Sequence, residues 1–266
     1  MKLKITHQTD YHYDAPIPYG LQQLRLTPKS SHGQKVLDWT TTITGGKREV
    51  SYQDQHDNHV ELISFEPDRL NISILCEGLV ETVDNSGIVG EHHGCAPLWY
   101  FMMPTALTKP GPQVRKLVKA AGERGDDDVA HLHGLSSLIG EAVRYEVGKT
   151  HVATSAEDAL DSGHGVCQDH AHVFIAAARI MGFPARYVSG YLLLSDMIDQ
   201  DASHGWAEAH IAGLGWVGFD VSNGISPDER YVRVATGLDY KEAAPISGMR
   251  FGESGESLIV SLQVQQ

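Results

Sequence analysis

Residues 163–184 read GHGVCQDHAHVFIAAARIMGFP, and their spacing decides the fold. Gly163 and Gly165 break the chain, after which Cys167, Ala171, Phe174, Ile175, Ala178 and Met181 recur at helical intervals until Gly182 and Pro184 stop them. The stretch predicts a buried helix with Cys167 in its first turn. Unpaired backbone N–H groups and the helix dipole favour a thiolate there. The two glycines let the preceding loop approach closely and leave room for a substrate carbonyl beside the sulfur, with the Cys167 N–H facing the oxyanion. Asp169 in the same turn opposes the thiolate by its charge, so a cationic partner is required.

Downstream, Ala185 to Leu193, Ser203 to Ile211 and Gly215 to Asp220 read as strands, the last two joined by a turn at Ala212-Gly213-Leu214. Residues of equal parity share a strand face. His204, Trp206, Glu208 and His210 therefore lie together, as do Trp216, Gly218 and Asp220. A turn centred near residues 213 and 214 sets Asp220 across from a residue near Trp206 and diagonal to His204. The expectation is a Cys167 nucleophile, a His204 general base that becomes its imidazolium partner, and an Asp220 that fixes the ring tautomer. Trp206 reads either as core packing or as a wall of the substrate cleft. Glu208 and His210 lie deeper along the strand and read as structural hydrogen-bonding residues.

Upstream, Val114, Leu117, Val118 and Ala121 keep helical spacing behind Pro112, and Gly122 ends that helix. A second helix follows the acidic start Asp126 to Asp128 and carries Val129, Leu132, Leu135, Ile139 and Ala142. The stretch from Pro97 to Pro112 holds four prolines and marks a domain boundary. Before it, short runs with period two are separated by turn signals: Leu37, Trp39, Thr41 and Ile43 alternate ahead of Gly45-Gly46, and a second turn spans Asp54 to Asn58. Val60 to Phe65 and Leu70 to Val80 supply further strands. The predicted class is α+β, with an antiparallel β-sandwich-like domain over 1–96 and a helix-and-sheet domain over 97–266. Cys76, on a face with Ile72, Ile74 and Val80, reads as a small buried hydrophobe, and Cys95 as structural.

These segments resemble the transglutaminase-like cysteine enzymes, in particular the bacterial type with an N-terminal β region. The resemblance is carried by TSAEDAL at 154–160, the run GHGVCQDHAHVFIAAARIMGFPARYVSGYL at 163–192, SHGWAEAHI at 203–211 and GWVGFDVSNG at 215–224. It extends to DERYVRVATGLDYKEAAPISG at 228–248. It implies a papain-like core, in which a helix-borne Cys packs on an antiparallel sheet bearing the His and Asp, and a triad of Cys167, His204 and Asp220. Many relatives carry Asp-Pro-Thr-Asn where this chain has Asp220-Val221-Ser222-Asn223, which loosens the turn without removing a triad atom. Such cores perform peptide or amide hydrolysis, isopeptide formation and deglycosylation, and some have lost activity. The expected reaction is attack on an amide of a protein or peptide substrate through a thioester on Cys167, with hydrolysis favoured over transfer to an amine. The alternative is a catalytically idle binding module that docks a protein partner through its N-terminal β domain.

Charge narrows the partners. With 21 Lys+Arg against 34 Asp+Glu the net charge is −13, and no local basic cluster offsets it, which argues against nucleic acid and anionic membrane surfaces. Polar and charged residues interrupt every apolar stretch of MKLKITHQTDYHYDAP, so a cytoplasmic chain without signal peptide or membrane span is expected. Three cysteines without a CxxC give neither a disulfide framework nor a thiolate zinc site. Fifteen histidines keep a metal in view, chiefly through His164, Cys167, His170 and His172. Helix geometry weakens that cluster, because residue 172 points away from 167 and 170, and 164 precedes the helix. Neither a metal nor an organic cofactor is expected.

Overall fold

Period-two alternation builds the first half of the chain, as β1 (Lys2–Tyr13) illustrates: Leu3, Ile5, His7, Thr9, Tyr11 and Tyr13 are buried, and the residues between them face outward. The computed structural model describes residues 1–194, 199–200, 202–251 and 255–266. After β1 come β2 (Tyr19–Thr27), β3 (Gln34–Thr44), β4 (Gly46–Gln53), β5 (His59–Phe65), β6 (Asn71–Thr82) and β7 (Ile88–Gly90). A 3₁₀ turn at Leu98–Met102 leads to α1 (Pro112–Ala121), α2 (Asp128–Ala142), β8 (Arg144–Tyr145), α3 (Ala156–Ser162), β9 (His164–Gly165) and α4 (Cys167–Ile180). The chain then forms β10 (Ala185–Leu192), β11 (Asp199–Gln200), β12 (His204–Ile211), β13 (Gly215–Phe219) and β14 (Tyr231–Gly237). A short α5 (Tyr240–Ala243), β15 (Ile246–Phe251) and β16 (Glu256–Gln265) complete it.

Two antiparallel sheets, ordered β11-β16-β1-β6-β3 and β15-β2-β5-β4, enclose a core that includes Tyr13, Leu24, Ile63, Ile72, Ile74 and Cys76. The Cys76 thiol is pushed up to about 11 by its burial, which leaves it a packing group. The turn between β4 and β5 closes on Asp54, whose Oδ1 accepts the N–H groups of His56 (2.9 Å) and Asn58 (3.0 Å).

The third sheet, ordered β14-β10-β12-β13-β7, is antiparallel throughout and lays one face against α4. That helix is buried on every side from Asp169 to Arg179, with α1, α2 and α3 packed around it. Ile139, Phe174, Ile175, Phe183, Tyr187 and Phe219 tie helices and sheet into one core. Arg179, near the end of α4, is buried, and no carboxylate among the described residues forms an ion pair with it. Its guanidinium donates to the carbonyls of Phe101, Ala185 and Leu238 and to Thr108 Oγ1, each at 2.8 Å, locking the helix end to four separate segments.

The chain crosses the expected division near residue 96 in both directions. β7 pairs with β13 of the core sheet, whereas β15 and β16 return to pair with β2 and β1. Periodicity does not report this, because it specifies which face of a strand is buried and not which strand lies beside it. One part of the seam is apolar: Leu3, Ile5, Val80 and Leu262 meet Tyr191 and Val232. No helix among the described residues is long and apolar enough to cross a membrane.

Candidate active site

The start of α4 is prepared by the two glycines before it. Gly163 ends α3 in the left-handed region (φ 69°), and a Cβ on Gly165 would lie 2.7 Å from Asp169 Cβ. Asp169 turns back on the helix start, its Oδ2 accepting the Val166 N–H (2.8 Å) and the Thr150 hydroxyl (2.7 Å). The carboxylate whose charge opposes a thiolate is thus occupied by the loop, and half-buried Cys167 opens the helix.

The strand register places the partners. Ala207 faces Phe219 at the end of the β12–β13 ladder, and Asp220 follows Phe219 directly. His204 opens β12, and its Nε2 lies 2.6 Å from Asp220 Oδ2. Cys167 is the second group that acts on the same ring. Burial is the largest single influence on His204 and disfavours its charged form. The hydrogen bonds to Asp220 and Cys167, together with their negative charges, outweigh it and raise the ring to about 10. Burial likewise works against the Asp220 carboxylate, and His204, Asn223 and Tyr231 more than offset it, holding the carboxyl below its ordinary value.

Asp220 is 99% enclosed and its contacts are numerous, since only 1% of the side chain is exposed. Its Oδ2 accepts from the Tyr231 hydroxyl (2.7 Å) and Asn223 Nδ2 (2.7 Å), and its Oδ1 from the Ser222 N–H (3.1 Å). Ser222 and Asn223 therefore keep the turn and the carboxylate together although proline and threonine are missing from it. Trp206 is 3% exposed and stacks on His204 (6.1 Å between centroids, 27°), with Tyr231 edge-on to the indole. The indole backs the imidazole from the protein side. Glu208 is fully buried between Arg186 and Arg233, and His210 sets its ring edge-on to Trp216.

Three tyrosines that feel the charge of Cys167 carry no signal in the sequence. Burial, then the negative charge of Cys167, raises the phenols of Tyr145 and Tyr240, and drives Tyr187 well above the ordinary tyrosine range. All three remain protonated and able to donate. The histidines of α4 take other partners. His170 lies between Ser222 Oγ and the Val143 carbonyl, both at 2.8 Å, and buried His172 accepts the Tyr240 N–H. His164 sits against Glu146. Among the described residues no group of three or more His, Cys, Asp or Glu side chains could hold a metal ion.

A thiol at the start of a central helix and a strand histidine that meets an enclosed carboxylate sit together in an α+β fold. Residues 115–221 match the transglutaminase-like superfamily, and residues 3–81 match the bacterial transglutaminase-like N-terminal region. The chain belongs to this transglutaminase-like family. It is 29% identical to an uncharacterized protein of Mycobacterium leprae over 283 residues, covering 99% of this chain and 98% of the relative. It is 28% identical to an uncharacterized protein of Mycobacterium tuberculosis over 295 residues, covering 99% and 92%. In fold it is similar to the crystal structure of a "Putative Cysteine Protease" from Cytophaga hutchinsonii, with a TM-score of 0.77, 24% identity, and coverage of 100% of this chain and 91% of the other.

Proposed function

We propose that this chain is a cysteine hydrolase that cleaves amide bonds of a protein or peptide through a thioester on Cys167, with His204 as general acid and base and Asp220 as the residue that orients it. The observation that carries the reading is His204, 2.6 Å from Asp220 and raised by both that carboxylate and Cys167. A raised imidazole favours the thiolate-imidazolium pair at neutral pH.

In the first step the Cys167 sulfur attacks the carbonyl carbon, and the oxyanion is met by the Cys167 N–H and a phenolic O–H at the sulfur. His204 then gives its proton to the leaving amine as the C–N bond breaks, which leaves the acyl group on sulfur. In the second step neutral His204 takes a proton from water, the hydroxide adds to the thioester, and the carboxylic acid departs with the thiolate restored. Half-buried Cys167 and a His204 side chain that is 14% exposed leave water access to the thioester, which supports hydrolysis over transfer to an amine.

An activated ester bypasses the unknown substrate. Incubation with p-nitrophenyl acetate, followed by peptide mass spectrometry, should place an acetyl group on Cys167. Cys167→Ala should abolish the burst of nitrophenol, and His204→Ala should slow release of the acetyl group. Acetylation confined to other side chains in the wild-type protein contradicts the proposal.

A further inference from the structure

The core sheet has a second face. Ala185, Tyr187, Ala207 and Ala209 pack into the helical core, so Arg186 and Glu208, of opposite parity, point the other way, toward the N-terminal loops. There the two parts of the chain flank a half-open cavity of about 560 Å³ whose walls include Lys29, Arg186 and Arg233.

These walls carry three cations and two carboxylates, Asp57 and Glu91, and a third carboxylate, Glu208, lies behind the arginines. Arg186 Nε and Arg233 Nε bind the two oxygens of the same fully buried Glu208 at 2.6 and 2.8 Å. Glu208 answers one of the two guanidinium charges and is shared between both forks. Arg186 also lies flat over Trp216, 3.8 Å from the ring centroid. Lys29 adds a third cation, and its Nζ donates to the His56 carbonyl at 2.7 Å. Burial, followed by the charges of Arg233 and Arg186, pulls Lys29 down to about 7, against weaker attraction from Asp57 and Asp54. Asp54 is itself engaged by Arg25 and by its own turn, so Asp57 and Glu91 are the acids left to face the cavity. His56 joins the wall with Nε2 on Glu242 and a buried Nδ1 that has no partner among the described residues.

We propose that this cavity is a binding site for a small molecule bearing an oxyanion, a phosphate or a carboxylate, held between Lys29, Arg186 and Arg233. Guanidiniums present a planar fork suited to such groups, and the lysine supplies a point charge. The site lies on the opposite side of the sheet from α4 and is independent of the chemistry proposed for Cys167.

Isothermal titration with sulfate, at constant ionic strength, tests it without a titrating ligand. At about pH 8 bound sulfate raises Lys29 above its depressed value, so binding takes up close to one proton; at about pH 6 Lys29 is already charged and the uptake disappears. His32, His92 and His93 also face the cavity and can take protons, so Lys29 variants make the assignment. Lys29→Met should weaken sulfate by about tenfold or more and remove the uptake, whereas Lys29→Arg should bind without it. Acetate in place of sulfate separates the sources: preference for sulfate marks a phosphate ligand, and preference for acetate a carboxylate. Wild-type protein that binds neither anion saturably, or Lys29→Met that binds unchanged, overturns the proposal. Should Lys29→Met not fold, Lys29→Arg decides: sulfate binding without the proton uptake supports the proposal, and undiminished uptake overturns it.

Discussion

Asp220 divides its oxygens between two tasks. Oδ1 accepts N–H groups of the turn that follows β13, and Oδ2 takes His204, Tyr231 and the Asn223 amide. In the sequence these roles stand as alternatives, yet a carboxylate has about four acceptor sites and fills both. Parity and turn position suffice to bring Asp220 to His204, because both lie on adjacent strands of one hairpin. Tyr231 escapes such reasoning, since it reaches Asp220 from β14, beyond a turn whose geometry no pattern specifies. The His204 ring gives a pH prediction. Its folded value, about 10, exceeds the ordinary 6.5, so the stability it contributes is complete below about pH 6.5 and is lost as pH rises through about 10. Urea melts should show wild type exceeding His204→Gln by a margin that shrinks over that interval; a constant margin contradicts this.

At the scale of elements, the helices were readable from their ends as much as from their stripes. α2 begins where Asp127 accepts the Ala130 N–H at 2.9 Å, and α4 ends just before Gly182. The start of α1 is different, because Gly111 and Pro112 offer no capping side chain. Glu157 of α3 supplies it from across the fold, accepting the N–H groups of Gly111 (2.7 Å), Val114 (2.9 Å) and Gln113 (3.0 Å). A cap donated from 43 or more residues away has no local signature, so sequence periodicity finds α1 but not what holds its first turn. Glu157→Ala should lower unfolding free energy by about 1–2 kcal/mol, measured in urea, and Glu157→Gln by less. A wild-type midpoint for Glu157→Ala would remove the cap from the account.

Across the whole molecule, the least legible features are those that join its parts. The exposed and buried faces of β15 and β16 follow the usual alternation only weakly, and their pairing with β2 and β1 depends on the path of the entire chain. Parity sets the strand face of Glu208, but the arginines that meet it come from β10 and β14, which no pattern on β12 specifies. Burial works against its charge and the two guanidiniums overcome it, holding the carboxyl below its ordinary value. Glu208→Gln leaves two buried cations without a counter-charge and should cost about 3–5 kcal/mol in a denaturant melt; an unchanged midpoint contradicts that role.

The central claim is that Cys167 and His204 act as one ionised pair, and the rate of iodoacetamide alkylation tests it most directly. Peptide mass spectrometry would follow Cys167 from about pH 4 to about pH 9 in wild type and in His204→Ala. The account predicts a Cys167 that reacts readily at about pH 6 and a profile displaced by more than about one unit to higher pH in the variant. Coincident profiles, or a Cys167 inert in both proteins, would contradict it.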